Sequence, residues 1–157
     1  MLTGKLAAFA TTGADALPAP ILAAARDAIT DTIGVTLAGV SEETAAIARR
    51  WACEAGARPV SSILGTDAGS SPSEAAFANG VAAHVLDFDD SLPSMRGHPS
   101  ATLVPVVLAV GEAEGASGRD VLAAYAVALE IGGKLGRAIG HHHYLREIGR
   151  AACRERV

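Results

Sequence analysis

One periodic segment constrains the fold more than any other part of the chain. Between Pro18 and Gly39, apolar or small residues recur at Ile21, Leu22, Ala25, Ala28, Ile29, Thr32, Ile33, Thr36 and Leu37. Steps of three and four residues place them on one stripe of a helix with a buried face. Pro18 and Pro20 suit the first turn, where proline is tolerated, and Gly39 is the expected stop. Similar start and stop signals recur along the chain. A short helix is expected over residues 3–10. Ser41, followed by Glu42 and Glu43, reads as the cap of a helix running to about Ala55 and ended by Gly56. Ser71, Pro72 and Glu74 form a capping signature for a helix running towards Leu86. A further helix follows Ser100, with Pro105 near its first turn and Gly115 at its end.

Ser117 and Asp120 open the last long helix. It carries Val121, Leu122, Tyr125, Leu129, Gly132, Leu135, Gly136 and Ile139 on adjoining faces. Gly132, Gly133 and Gly136 cost roughly 1 kcal/mol each against alanine, and close contact with another helix is the expected compensation. "PVSSILG" (59–65) is too short and too β-branched for helix and predicts a small extended piece. "TDAGSSPSE" (66–74) reads as loop leading into the capping signature. The fold class is therefore all-α, about six helices in one domain, without internal repeats.

Composition agrees. The chain has 157 residues, half of them hydrophobic and only 4% aromatic, so alanine-rich helices should pack backbone near backbone. The net charge is −4 with no basic run, which argues against nucleic acid as a partner. Cys53 and Cys153 have no metal-type spacing and make no disulfide framework, so a reducing interior is expected. Cys53 reads as a core residue. The N-terminal apolar run is too short for a secretory core or a membrane span, and the expected location is cytoplasmic, away from membranes.

The stretch "HVLDFDDSLPSMRGHPS" (84–100) departs from all this. Asp87, Asp89 and Asp90 fall together at a helix end, and His98 stands before Pro99 at the entrance to the next helix. Proline biases His98 away from helical dihedrals. The positive end of the following helix could help hold an anionic substrate. Calcium binding of the EF-hand kind fails, because the sixth and twelfth positions from Asp87 are Leu92 and His98. "DFDD" matches the DxDD pattern of protonating terpene cyclases, but one Trp, two Tyr and three Phe are too few to stabilise carbocations. Acid–base chemistry suits the group best: Asp and His can divide proton removal and proton donation beside a carboxylate. Asp89 and Asp90 are expected to cap backbone groups or to orient His84 or His98. No metal is expected. His141, His142 and His143 read as structural or exposed, since neighbours on a helix point apart. Glu130 and Lys134 read as a surface pair.

The segment from Phe77 to Gly136, with Asn79-Gly80, His84, "DFDD" and "HPS", closely resembles the MmgE/PrpD family, which includes 2-methylcitrate dehydratase and cis-aconitate decarboxylase. "LPAPILAAARDAITDTIGVTLAG" resembles that family's first long helix, and the resemblance covers about residues 2–140. It implies a helical first domain followed by a smaller α/β domain, a homodimer, and chemistry without an iron–sulfur cluster or other cofactor. By position it implies Asp87 and His98 as catalytic residues and Ser91 as a substrate contact. Arg96 is added on its chemistry, as a cation able to bind a carboxylate. The resemblance breaks at Leu145 to Arg146, before the stretch that supplies another histidine and the carboxylate-binding lysines. The tail "REIGRAACRERV" is foreign to what precedes it and resembles translated sequencing-adapter read-through. The expected layout is therefore an incomplete helical domain over 1–144 and a non-family tail over 145–157. The expected function is that of the N-terminal part of a carbon–oxygen lyase or decarboxylase for small di- or tricarboxylates, inactive alone. The alternative is a non-catalytic helical binding or dimerisation module.

Overall fold

The computed structural model of the protein describes residues 2–140. The triple histidine and the 145–157 tail lie outside the described residues. Among those described are six helices: α1 (Leu2–Ala10), α2 (Ala19–Gly39), α3 (Glu43–Glu54), α4 (Pro72–His84), α5 (Pro99–Glu114) and α6 (Gly118–Ile139). A 3-10 turn covers Ala14–Ala16, and two short strands, β1 (Ser61–Ser62) and β2 (Gly69–Ser70), complete the order. The all-α expectation holds. No helix among the described residues is long and apolar enough to cross a membrane.

Several local expectations are corrected. β2 lies inside the segment read as loop and pairs antiparallel with β1, Ser61 opposite Ser70 and Ser62 opposite Gly69. The cause is tertiary: Ser61 donates its hydroxyl to the Ala109 carbonyl at 2.6 Å, and Ser70 donates to Ala52 at 2.8 Å. Glu42, not Ser41, occupies the N-cap of α3, and no side chain caps it. Ser71 stands at the N-cap of α4, but its hydroxyl pairs with Ser73 at 3.0 Å instead of the backbone. Ser117 caps α6 as expected, accepting from the Asp120 N–H. Gly115 ends α5 in the left-handed conformation, where glycine carries no Cβ penalty. Cys53 is exposed, not core.

α4 is the central element, packed on α2, α3 and α5, while α6 closes over α5 and α2. Its buried face is Ala75, Ala78, Asn79, Ala82 and Ala83. An alanine methyl adds only about 0.8 kcal/mol by transfer, so such a core gains by close backbone approach. Gly39 shows it: a Cβ there would overlap the Ala82 carbonyl oxygen, so its role at the end of α2 is contact with α4. Asn79 ties α4 to the strand pair, accepting from the Leu64 N–H and donating to the Ser62 carbonyl, both at 2.9 Å. Larger side chains fill the space between α2, α5 and α6, where Ile29, Val104 and Tyr125 are buried together.

Pro105 sits well inside α5, because that helix begins at Pro99 and not after Ser100. It cannot supply the N–H that the Ala101 carbonyl would normally receive. That carbonyl oxygen lies 3.2 Å from where a Cβ on Gly80 would stand. The loss of one helical hydrogen bond and the close α4–α5 approach therefore coincide, at the floor of the cavity described next.

Candidate active site

α4 ends at His84 and α5 begins after His98, so the 85–98 connection hangs between the ends of two packed helices. The connection is braced within itself: Leu92 and Gly97 form an isolated antiparallel bridge, and the Arg96 N–H donates to the Leu92 carbonyl at 2.8 Å. It is also braced from outside, by α6. A Cβ on Gly136 would overlap the Ser94 carbonyl oxygen, and one on Gly132 would come within 2.9 Å of the Met95 side chain. The α6 glycines thus serve close contact, as expected, but the partner is this connection and not a helix.

Asp87 and Arg96 have positive φ, 57° and 50°, the left-handed region that non-glycine residues enter at a cost. From the turn at Asp87 the exposed side chain brings Oδ1 to 3.6 Å from His98 Nε2. His98 is the N-cap residue of α5 with φ −104° and ψ 83°, the non-helical geometry expected before proline.

Behind the two imidazoles sits Asp89, whose side chain is 0% exposed. Its carboxylate lies 2.9 and 3.0 Å from His84 Nδ1. His98 Nδ1 lies 3.4 Å from the same carboxylate and 3.3 Å from the Asp89 carbonyl oxygen. The two rings are 4.9 Å apart between centroids. Asp90 turns the other way. It accepts from the Ser100 N–H at 3.1 Å and from the Ser100 hydroxyl at 2.6 Å, and Ser100 Oγ is 2.7 Å from the Tyr125 hydroxyl. Burial pushes the Tyr125 phenol upward; the Ser100 hydrogen bond lowers it, and the charge on Asp90 raises it further. At the α5 N-terminus, expected to help hold an anionic substrate, the chain's own Asp90 carboxylate already takes the Ser100 N–H.

An apolar cavity of about 1090 Å³ opens between α4 and α5. Its walls include Phe77, Gly80, Val81, Ala101 and Val106, and His84 and His98 are its two imidazoles. Of the expected site residues, His98 lines this cavity, while Asp87 is exposed and approaches His98. Ser91 is exposed and Arg96 half-buried, and neither belongs to the cavity wall. His84 had been expected only as a ring for Asp89 or Asp90 to orient, which Asp89 does; Ser100 and Tyr125 had not been expected as parts of the site. The signal for His84 was present, an imidazole one turn before the acids. Ser100 and Tyr125, far apart in sequence, carried none.

One donor atom from each of His84, Asp87, Asp89 and His98 falls within 4.8 Å of the others, so these four could grip a divalent ion. The closest contacts place Asp89 on the Nδ1 side of His98 and Asp87 on the Nε2 side. His98 thus has a carboxylate at each edge of its ring, an arrangement that also suits acid–base work.

The comparisons with known proteins point to one family. Residues 4–152 match the MmgE/PrpD N-terminal domain. The chain is 37% identical to cis-aconitate decarboxylase of Homo sapiens and 35% identical to that of Mus musculus, each over 112 residues. Each alignment takes in 68% of this chain and 23% of the relative, so the chain spans less than a quarter of these curated relatives.

Proposed function

Because the chain belongs to the MmgE/PrpD family, we propose that it provides an acid–base group of a lyase acting on small di- or tricarboxylates. The observation that carries this reading is the His98 Nε2 edge facing Asp87 Oδ1 at 3.6 Å, with His98 on the wall of a mostly apolar cavity. In the proposed reaction His98 takes the proton from the carbon next to a carboxylate, or returns one to the carbanion left by decarboxylation. Asp87 receives or stabilises that proton. A positioned acid–base group of this kind contributes roughly 10²–10⁴ in rate. Ser91 and Arg96 would serve as a hydroxyl and a cation towards the substrate carboxylates. Loss of water from a 2-methylcitrate-like acid and loss of carbon dioxide from a cis-aconitate-like acid both fit. The reading places the enzyme in the cytoplasm as a homodimer that needs no cofactor.

The test is an assay of the whole gene product with 2-methylcitrate and with cis-aconitate, followed by the His98→Ala variant. We expect a fall of roughly 10²–10⁴ in kcat; undiminished turnover would remove His98 from the mechanism. A non-catalytic docking role is the second reading. It is favoured by the half-exposed Phe77, Val106 and Val110 on the cavity walls, and absence of turnover on both acids would turn the balance towards it.

A further inference from the structure

We propose that His84 is a second proton-carrying group of this site, paired with His98 through the buried carboxylate of Asp89. The inference rests on the lyase reading for the reaction and on geometry alone for the pairing. A carboxylate and a carbonyl oxygen only accept hydrogen bonds. Asp89 presents its carboxylate to His84 Nδ1 at 2.9 Å, and its carboxylate and carbonyl to His98 Nδ1 at 3.4 and 3.3 Å. Both Nδ1 atoms are therefore the donors towards Asp89; Asp87 Oδ1, at 3.6 Å, is too far to hold a hydrogen on His98 Nε2, and both Nε2 atoms are left to exchange protons with whatever enters. Each ring lines the cavity, and their 4.9 Å separation allows one small molecule to meet both. Asp89 is the positioning residue. With a fully buried side chain it has no solvent to turn to, so it fixes the tautomer and direction of two rings at once.

Two such groups suit elimination. His98 Nε2 takes the proton from the carbon beside the carboxylate, and that electron pair forms the new C=C bond. The C–O bond breaks, and the departing oxygen takes a proton from Nε2 of His84 in its imidazolium form and leaves as water. No electrons are gained or lost. One proton has passed from His84 to His98, and exchange with solvent restores the start. Decarboxylation would need only one of the two rings.

Long-range ¹H–¹⁵N correlation spectra of the labelled chain, in EDTA at alkaline pH, read the tautomers without requiring turnover. The expected result is a protonated Nδ1 and an unprotonated Nε2 for both His84 and His98. In Asp89→Asn the amide can accept from one ring but must donate to the other, so one of the two should switch to the Nε2–H form while the backbone amide spectrum is kept. Should that variant fail to fold, the wild-type tautomers decide alone. Citrate, as a tricarboxylate probe, should shift both Nε2 resonances. An Nε2–H tautomer for His84 in the wild type overturns the proposal, as does a citrate response confined to His98. Citrate shifting neither ring, with the tautomers as stated, overturns the carboxylate reading and confirms the Asp89 pairing.

Discussion

Ser100 shows how one small polar side chain can hold a site in place. It donates its hydroxyl to Asp90 and is positioned to accept from Tyr125, so three elements meet at one oxygen: the 85–98 connection, α5 and α6. Removing one end differs from removing the middle. Tyr125→Phe deletes one buried hydrogen bond and should cost about 1 kcal/mol. Ser100→Ala leaves the buried phenol without its Ser100 partner and Asp90 with only the N–H of the two donors at residue 100, and should cost about 2–3 kcal/mol. Urea titration of the two variants checks the order. The phenol also sets an alkaline limit. Its folded-state pKa is raised above the ordinary 10.0, chiefly by burial. That contribution is complete below about pH 10 and is lost as pH rises through the folded value, because ionised tyrosine prefers the unfolded chain. Stability should therefore fall above pH 10 in the wild type, and the fall should be shallower in Tyr125→Phe.

Among the elements, α6 bears most directly on the site, although none of the imidazoles is on it. Its glycines seat the connection that carries Asp87, Asp89 and Asp90. Gly136→Ala would drive a methyl into the Ser94 carbonyl, and backbone cannot step aside as a side chain can. A loss of about 1–3 kcal/mol is expected from such overpacking, together with a displaced His98. Gly132→Ala meets only the flexible end of Met95 and should cost less. Thermal unfolding of the pair checks the ranking; equal losses would mean that the Ser94 contact is unimportant. Helix starts offer a milder test. Ser117 makes a side-chain cap hydrogen bond and Ser71 does not, so Ser117→Ala should cost about 1 kcal/mol and Ser71→Ala clearly less. The glycine cost in α6 was legible from sequence. Its beneficiary was not, because a loop of mixed residues has no period from which to infer what it packs against.

Taken whole, the molecule shows a polar end and an apolar flank on one groove. Phe77 lines the cavity between α4 and α5, and Trp51 of α3 stacks edge-on against it with centroids 5.2 Å apart. Both are half-exposed, as are Val106 and Val110, and an apolar patch of this kind binds apolar probes. The folded chain should bind anilinonaphthalene sulfonate with quenching of Trp51, its one tryptophan. Phe77→Asp should weaken that quenching several-fold; an unchanged signal would place the dye elsewhere.

The sequence by itself determined the helical class, the approximate helix bounds, and the pairing of an aspartate with the histidine before Pro99. These follow from local causes: three-and-four spacing, proline and glycine at helix ends, and the restriction that proline places on His98. Tertiary structure alone decided which of Asp89 and Asp90 braces the rings and which caps a helix. The two acids are chemically identical and adjacent, so sequence could expect support from both but not divide it between them. The left-handed turn at Asp87 sends that side chain outward to His98 Nε2, the collapse of the connection onto α4 and α5 buries Asp89 behind two imidazoles, and the α5 N-terminus claims Asp90. Which carboxylate meets water, which meets a ring and which meets a backbone N–H depends on helix ends that only packing brings together.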